Sequence, residues 1–144
     1  VYEGAVALSV VLLTATVFGL WHRARSGRIR AGAAVDEHRL DPSLRDALGV
    51  TPGEITLLQF STAFCQPCRA TRAVLAGVGR DTEGVRHVEV DAESHLDAVR
   101  ALNVWSTPTT LVIDRESRIV GRAGGVPTRP QVLAAIAAIE EENS

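Results

Sequence analysis

The chain has 144 residues, enough for one domain with a modest core. Its formal net charge is −2 and all 15 basic residues are Arg, so no global positive field favours nucleic acid as a partner. Two cysteines in all exclude the dense disulfide framework of a small secreted scaffold.

Residues 4–21, GAVALSVVLLTATVFGLW, carry no charge, and their only polar side chains are Ser9, Thr14 and Thr16. These hydroxyls can bond back to the helix in lipid. A helix rises about 1.5 Å per residue and needs roughly 20 residues to cross the hydrocarbon core. Residues 1–22 therefore read as a single-pass transmembrane anchor in the lipid bilayer, with Tyr2 and Trp21 at its two ends, where amphipathic rings favour the headgroup level. A buried core helix is the first alternative, but nothing downstream calls for so apolar a partner. A cleaved signal peptide is the second. It wants a basic start and small residues at the cleavage site, whereas Glu3 precedes this run and Trp21 and arginines end it. Arg23, Arg25, Arg28 and Arg30 follow the span and nothing basic precedes it, so the positive-inside rule places the C-terminal side in the cytoplasm. The same arginines can touch anionic headgroups, though a topogenic role is the simpler reading.

Residues 23–34, basic and rich in Gly and Ala, read as a juxtamembrane linker, and 35–144 as the folded domain. Residues 35–40 are weakly strand-like. Asp41-Pro42 opens a helix with Leu44, Ala47 and Leu48 on one face, ended by Gly49 and Thr51-Pro52-Gly53. Ile55–Phe60 is a short apolar run, expected to be a buried strand. Ala70, Val74, Leu75 and Val78 mark a helix over 68–78. Val85–Val90 reads as a second strand. Ser94 reads as the N-cap of a helix running to about Leu102. Thr109–Ile113 and Arg118–Ala123 are two strands with a hairpin-sized gap. Thr128-Arg129-Pro130-Gln131 is a capping box opening a helix with Val132, Leu133, Ile136 and Ile139 on its apolar face. The order β-α-β-α-β-β-α predicts an α/β sheet with helices on both faces.

Both cysteines lie in STAFCQPCR, residues 61–69, after the first strand and at the start of its helix. A structural zinc site needs four ligands, hence two of His22, His38, His87 and His95, and no two of these have the H-x₃₋₅-H spacing. Haem attachment needs His after the second cysteine, where Arg69 stands. Two inert buried thiols are a further alternative. The redox reading has a mechanism: a thiol at a helix N-terminus faces unpaired N–H groups and the positive end of the dipole, which stabilises its thiolate. Cys65 would occupy that end, with Cys68 about one turn away, Arg69 beside it, and Pro67 in the first turn, where no N–H is needed.

These residues, with LLQFSTAFCQPCRATRAVL, VRHVEVDAES, LNVWSTPTTLVIDRESRIVGRAGG and the final amphipathic helix, resemble the thioredoxin superfamily over roughly residues 50–140. The resemblance implies a thioredoxin-like central mixed sheet flanked by helices, here preceded by one N-terminal transmembrane helix. It implies that Pro108 is cis and packs on the active-site disulfide, and that Thr107 faces substrate. Cys65 would be the nucleophile that forms a mixed disulfide, and Cys68 the thiol that resolves it. Phe64, Gln66, Pro67, Trp105 and Gly124 would border the docking groove, with Trp105 equally readable as a plain core or surface aromatic. No cofactor or metal is called for.

Three positions depart from the family pattern: Phe64 stands where Trp is usual, Gln66 where Gly is, and Gln59 where a buried Asp is. The position of a neighbouring-strand Lys is held by His87, which titrates near neutral pH and is a candidate for proton transfer in place of Gln59. The reading favoured on sequence alone is a half-buried strand residue without that role. PTTLVIDRESRIV is also similar to the matching stretch of membrane-anchored, extracytoplasmic TlpA/ResA-type proteins, although their insertion after the second strand is missing here. The expectation is a membrane-tethered thiol–disulfide oxidoreductase that reduces or exchanges protein disulfides and draws electrons from a reductase or another dithiol protein. Its domain is placed on the cytoplasmic side, with the extracytoplasmic side as the alternative. The non-enzymatic alternative is a docking or chaperone module with a thioredoxin fold and no redox turnover.

Overall fold

The structure, a computed structural model, describes residues 1–25, 27–31 and 39–144. The linker residues 32–34, most of the weak strand expected over 35–40, and His38 lie outside the described residues.

Helix α1 spans Tyr2–Arg25, 24 residues with no buried position, and is long and apolar enough to cross a membrane. Ser9 Oγ donates to Ala5 O at 2.8 Å, Thr16 Oγ1 to Leu12 O at 2.7 Å, and Thr14 Oγ1 to Val10 O. Each hydroxyl is thus satisfied within the helix, as an apolar surrounding requires.

Downstream lie β1 (Arg30–Ala31), α2 (Pro42–Ala47), β2 (Ile55–Ser61), α3 (Gln66–Asp81), β3 (Val85–Asp91), α4 (Leu96–Ala101), β4 (Thr109–Ile113), β5 (Ile119–Gly124) and α5 (Arg129–Glu142). The sheet order is β1-β5-β4-β2-β3. β2 and β3 are parallel, joined through α3, and every other pair is antiparallel. The mixed sheet flanked by helices is the expected one.

All seven residues of β2 are buried, because the strand is central and helices cover both faces. Alternation sorts its side chains. Ile55 and Leu57 pack with Leu75, Val78, Val132 and Ile136 of α3 and α5, whereas Leu58 and Phe60 pack with Leu48, Val90, Ala98 and Leu102 on the other face. Gln59 continues the α3 face. The β4–β5 connection is held by the buried Asp114 carboxylate, which accepts from Glu116 N at 3.0 Å, Arg118 N at 2.8 Å and Arg118 Nε at 2.8 Å. The Thr128–Gln131 capping box forms as read.

α3 begins at Gln66, with Cys65 as its N-cap and Pro67 in its first turn as read, and runs on to Asp81. One local reading changes: Ser94 does not cap α4. Asp91 accepts from Glu93 N at 3.0 Å and from Ser94 Oγ at 2.8 Å, which winds Ala92–Ser94 into a 3₁₀ turn and moves the N-cap to His95. An aspartate three residues upstream has captured the hydroxyl that the cap would have used.

Part of the expected linker joins the sheet. Arg30 and Ala31 pair with Arg122 and Gly121 of β5. Gly27 N donates to Gly124 O at 2.5 Å. Its φ is +84°, and an added Cβ would lie 2.1 Å from Val126 O, so only glycine fits there.

Candidate functional site at the Cys65–Cys68 disulfide

β2 runs out of the sheet at Ser61 and α3 starts at Gln66, so the turn between them lies at the C-terminal end of the central strand. Cys65 and Cys68 are bonded there, with Cα atoms 5.2 Å apart. The two sulfurs differ in access. Cys68 is 1% exposed, while Cys65 is half-buried and its Sγ accepts from Cys68 N at 3.2 Å. That N–H, aimed along the axis of a 16-residue helix, would stabilise a thiolate at Cys65 once the bond is reduced.

The surrounding loops supply a surface. Phe64 is fully exposed and has φ +63°, a left-handed conformation that a bulky residue rarely adopts. Gln66 and Pro67 are exposed in the first turn of α3. Trp105 is 90% exposed, which places it on the surface and not in the core. The Thr107–Pro108 bond is cis, and Thr107 Oγ1 lies 3.1 Å from Thr62 Oγ1, tying this loop to the one before the cysteines. Gly124 pairs with Thr109, and Gly125 N donates to Pro108 O at 3.0 Å. A shallow groove of about 270 Å³ is lined by Thr62, Glu93, Leu96, Val99, Trp105 and Thr107 among others.

Beneath the disulfide lies a polar row that faces α3. Gln59, fully buried, donates through Nε2 to Cys68 O and to Ser61 Oγ, each at 2.9 Å. Its Oε1 lies 3.0 Å from His87 Nε2. With Oε1 as acceptor, His87 is the Nε2–H tautomer. Burial pulls the His87 pKa below its ordinary value, opposed by the charge of Glu89 and reinforced by that of Arg72. Glu89 is clamped by Arg72 through Nε at 2.5 Å and Nη2 at 2.6 Å, and that hydrogen bond is the main cause of its lowered pKa.

Gln59 and His87 thus meet, as the resemblance implied, and Gln59 touches the carbonyl of Cys68. Sequence reading missed Arg72, Glu89, Ser61, Thr62 and Leu96. The signal for Glu89 was available, since it lies two residues from His87 on one strand and shares its face. Arg72 and Leu96 had no such signal, being placed by helix packing. Among the described residues, no group of three or more His, Cys, Asp or Glu is placed to hold a metal.

The thioredoxin family model matches residues 46–138. This chain belongs to the thioredoxin family. Solved structures of thioredoxins share its fold. Chloroplastic thioredoxin z is 20% identical, with a TM-score of 0.59, covering 69% of this chain and 88% of its own. The Schistosoma mansoni thioredoxin pre-protein is 18% identical, with a TM-score of 0.53, covering 70% and 90%. Thioredoxin-2 of a malaria parasite is 17% identical, also with a TM-score of 0.53, covering 59% and 82%. No curated protein matches the chain. Within the thioredoxin frame, α1 and the 27–31 segment precede the matched residues.

Proposed function

We propose that this protein is a membrane-tethered thiol–disulfide oxidoreductase that reduces or exchanges protein disulfides. The observation that carries the reading is the unequal pair at the start of α3: an accessible Cys65 whose sulfur accepts a helix N–H, bonded to a buried Cys68. In the reduced protein, the Cys65 thiolate attacks a substrate disulfide. One substrate sulfur leaves as thiolate, and a mixed disulfide forms. Cys68, losing its proton, attacks Cys65 Sγ and releases the second substrate thiolate, leaving Cys65–Cys68 oxidised. Two electrons have moved from the protein to the substrate, and a reductase or another dithiol protein returns them. Phe64, Gln66, Pro67, Trp105, Thr107, Pro108 and Gly124 are the docking surface for the substrate chain in this reading. His87 is the candidate for proton transfer at Cys68, with Gln59 as the link between them. The pattern of four arginines after the apolar run, two in the last turn of α1 and two beyond it, favours a cytoplasmic domain, and the likeness to TlpA/ResA-type proteins is the argument for the opposite side. Residues 1–22 are the anchor, 35–144 the domain, and 23–34 the junction between them, of which Arg30 and Ala31 pair with β5.

The test uses the full chain in neutral detergent with insulin as substrate and dithiothreitol as donor. Turnover is expected, with loss of activity in Cys65→Ser and accumulation of a mixed disulfide in Cys68→Ser. A docking module without redox turnover would leave the wild-type protein as inactive as Cys65→Ser.

A further inference from the structure

Three elements meet on the side of the sheet where α1 ends. His22 and Arg25 in the last turn of α1, Arg28 and Arg30 in the following segment, and Arg122 with Gly124 of β5 line a recess of about 430 Å³. Arg30 and Arg122 are direct cross-strand partners, and like charges in that relation repel. Arg122 is half-buried. Its guanidinium donates to Asn103 O at 3.0 Å and Leu102 O at 2.5 Å, which fixes it in the wall without neutralising it. Burial alone pushes its pKa down. Arg25 lies 4.2 Å over the Trp21 ring. Among the described residues, none of the four arginines forms an ion pair. Two arginines thus stand opposite each other at a sheet edge, and two more line the same recess.

We propose that this recess is a binding site for the phosphate headgroup of an anionic phospholipid. The reading rests on α1 spanning the membrane. Trp21, at the end of the apolar run, then sits at headgroup level, and Arg25, Arg28, Arg30 and Arg122 reach a phosphodiester that their planar donors match. The bound headgroup relieves the Arg30–Arg122 repulsion. It also has a consequence for docking. Gly27 is bonded to Gly124, and Gly125 to Pro108, so a headgroup held here seats the docking edge of the domain against the membrane surface, in a fixed orientation and not at the end of a free tether.

The experiment follows thermal unfolding of the full chain in neutral detergent with added phosphatidylglycerol, phosphatidylcholine or inorganic phosphate. Phosphatidylglycerol is expected to raise the midpoint by mass action, and phosphatidylcholine is not. R28Q/R30Q replaces two exposed residues and is expected to weaken the phosphatidylglycerol response by about tenfold or more. R25Q, which lies outside the sheet, is the second variant, with the same expected direction. Equal responses to the two lipids, or variants that respond as the wild type does, overturn the proposal. So does inorganic phosphate matching phosphatidylglycerol at equal concentration, which would make the recess a free-anion site. Alkaline extraction of the full chain from membranes reads the anchor separately. Release into the soluble fraction defeats the anchored reading and this proposal together, whereas retention without a lipid-specific shift defeats the lipid site alone.

Discussion

The side-chain amide of Gln59 donates to the backbone carbonyl of Cys68 at 2.9 Å from a position with no solvent exposure. The same amide meets Ser61 and His87, so one uncharged side chain joins α3 to β2 and β3. Gln59→Leu keeps much of the volume and removes the amide's bonds to Cys68 O, Ser61 Oγ and His87 Nε2. It should destabilise the oxidised protein by about 1–3 kcal/mol, read as a lower urea midpoint. An unchanged midpoint would mean that water replaces the amide at no cost.

His87 makes stability depend on pH. Its folded pKa is lowered, chiefly by burial, so between that value and the unfolded value of about 6.5 the unfolded chain binds more protons. The stabilisation is fully present above about pH 6.5 and is lost as pH falls through the folded pKa. Urea unfolding from pH 5 to 7.5 should show a loss on acidification that is shallower in His87→Gln. Parallel curves would remove His87 from the account. Disulfide-reduction rates of the same variant across pH test proton transfer separately, and an unchanged profile sinks that role.

Glu89 acts in a lower window. Arg72 holds its carboxyl below the usual range, so its contribution is present above the unfolded pKa of about 4.3 and is lost on acidification below it. Glu89→Gln should flatten the stability profile in that acid range and, by removing the charge that opposes burial at His87, move the His87 limb to lower pH without abolishing it.

Phe64 combines full exposure with φ +63°. A left-handed non-glycine residue costs about 1–2 kcal/mol, so Phe64→Gly should raise stability by up to about 1 kcal/mol, allowing for glycine's greater chain entropy. It also deletes apolar surface next to Cys65. The KM for a protein disulfide should rise several-fold, while attack on a small-molecule disulfide changes little. A gain in stability with no change in KM would take Phe64 out of the docking surface.

Gly27 is the clasp between the α1 end and the domain. Gly27→Ala sets a Cβ at 2.1 Å from Val126 O with φ +84° and should detach the 27–31 segment. The readout is tryptic cleavage within Arg25–Arg30, expected to accelerate about tenfold or more as a local opening worth about 1.4 kcal/mol is lost. Equal cleavage rates would show that the segment opens regardless.

The regular elements were legible because they carry local signals. β2 is a short, largely apolar run bounded by turn residues, α5 has a capping box and a helical stripe, and C-x-x-C stands at a strand-to-helix junction. β1 was not legible. An edge strand of two residues has no period to detect, and its pairing is decided by β5, about 90 residues away. Ser94 was misread for a related reason, since the competing acceptor, Asp91, lies outside the four-residue cap pattern.

By itself the sequence determined the composition-level and local facts: an apolar helix long enough for a membrane, the order of strands and helices, and two cysteines one turn apart at a helix start. These depend on residues within a few positions of one another, where backbone propensity and periodicity act. Only the tertiary structure decided that Gln59 bonds the Cys68 carbonyl, that Glu89 is held by Arg72, and that Arg30 faces Arg122. Those meetings depend on strand register and helix packing, which join residues far apart in the chain and have no local signature.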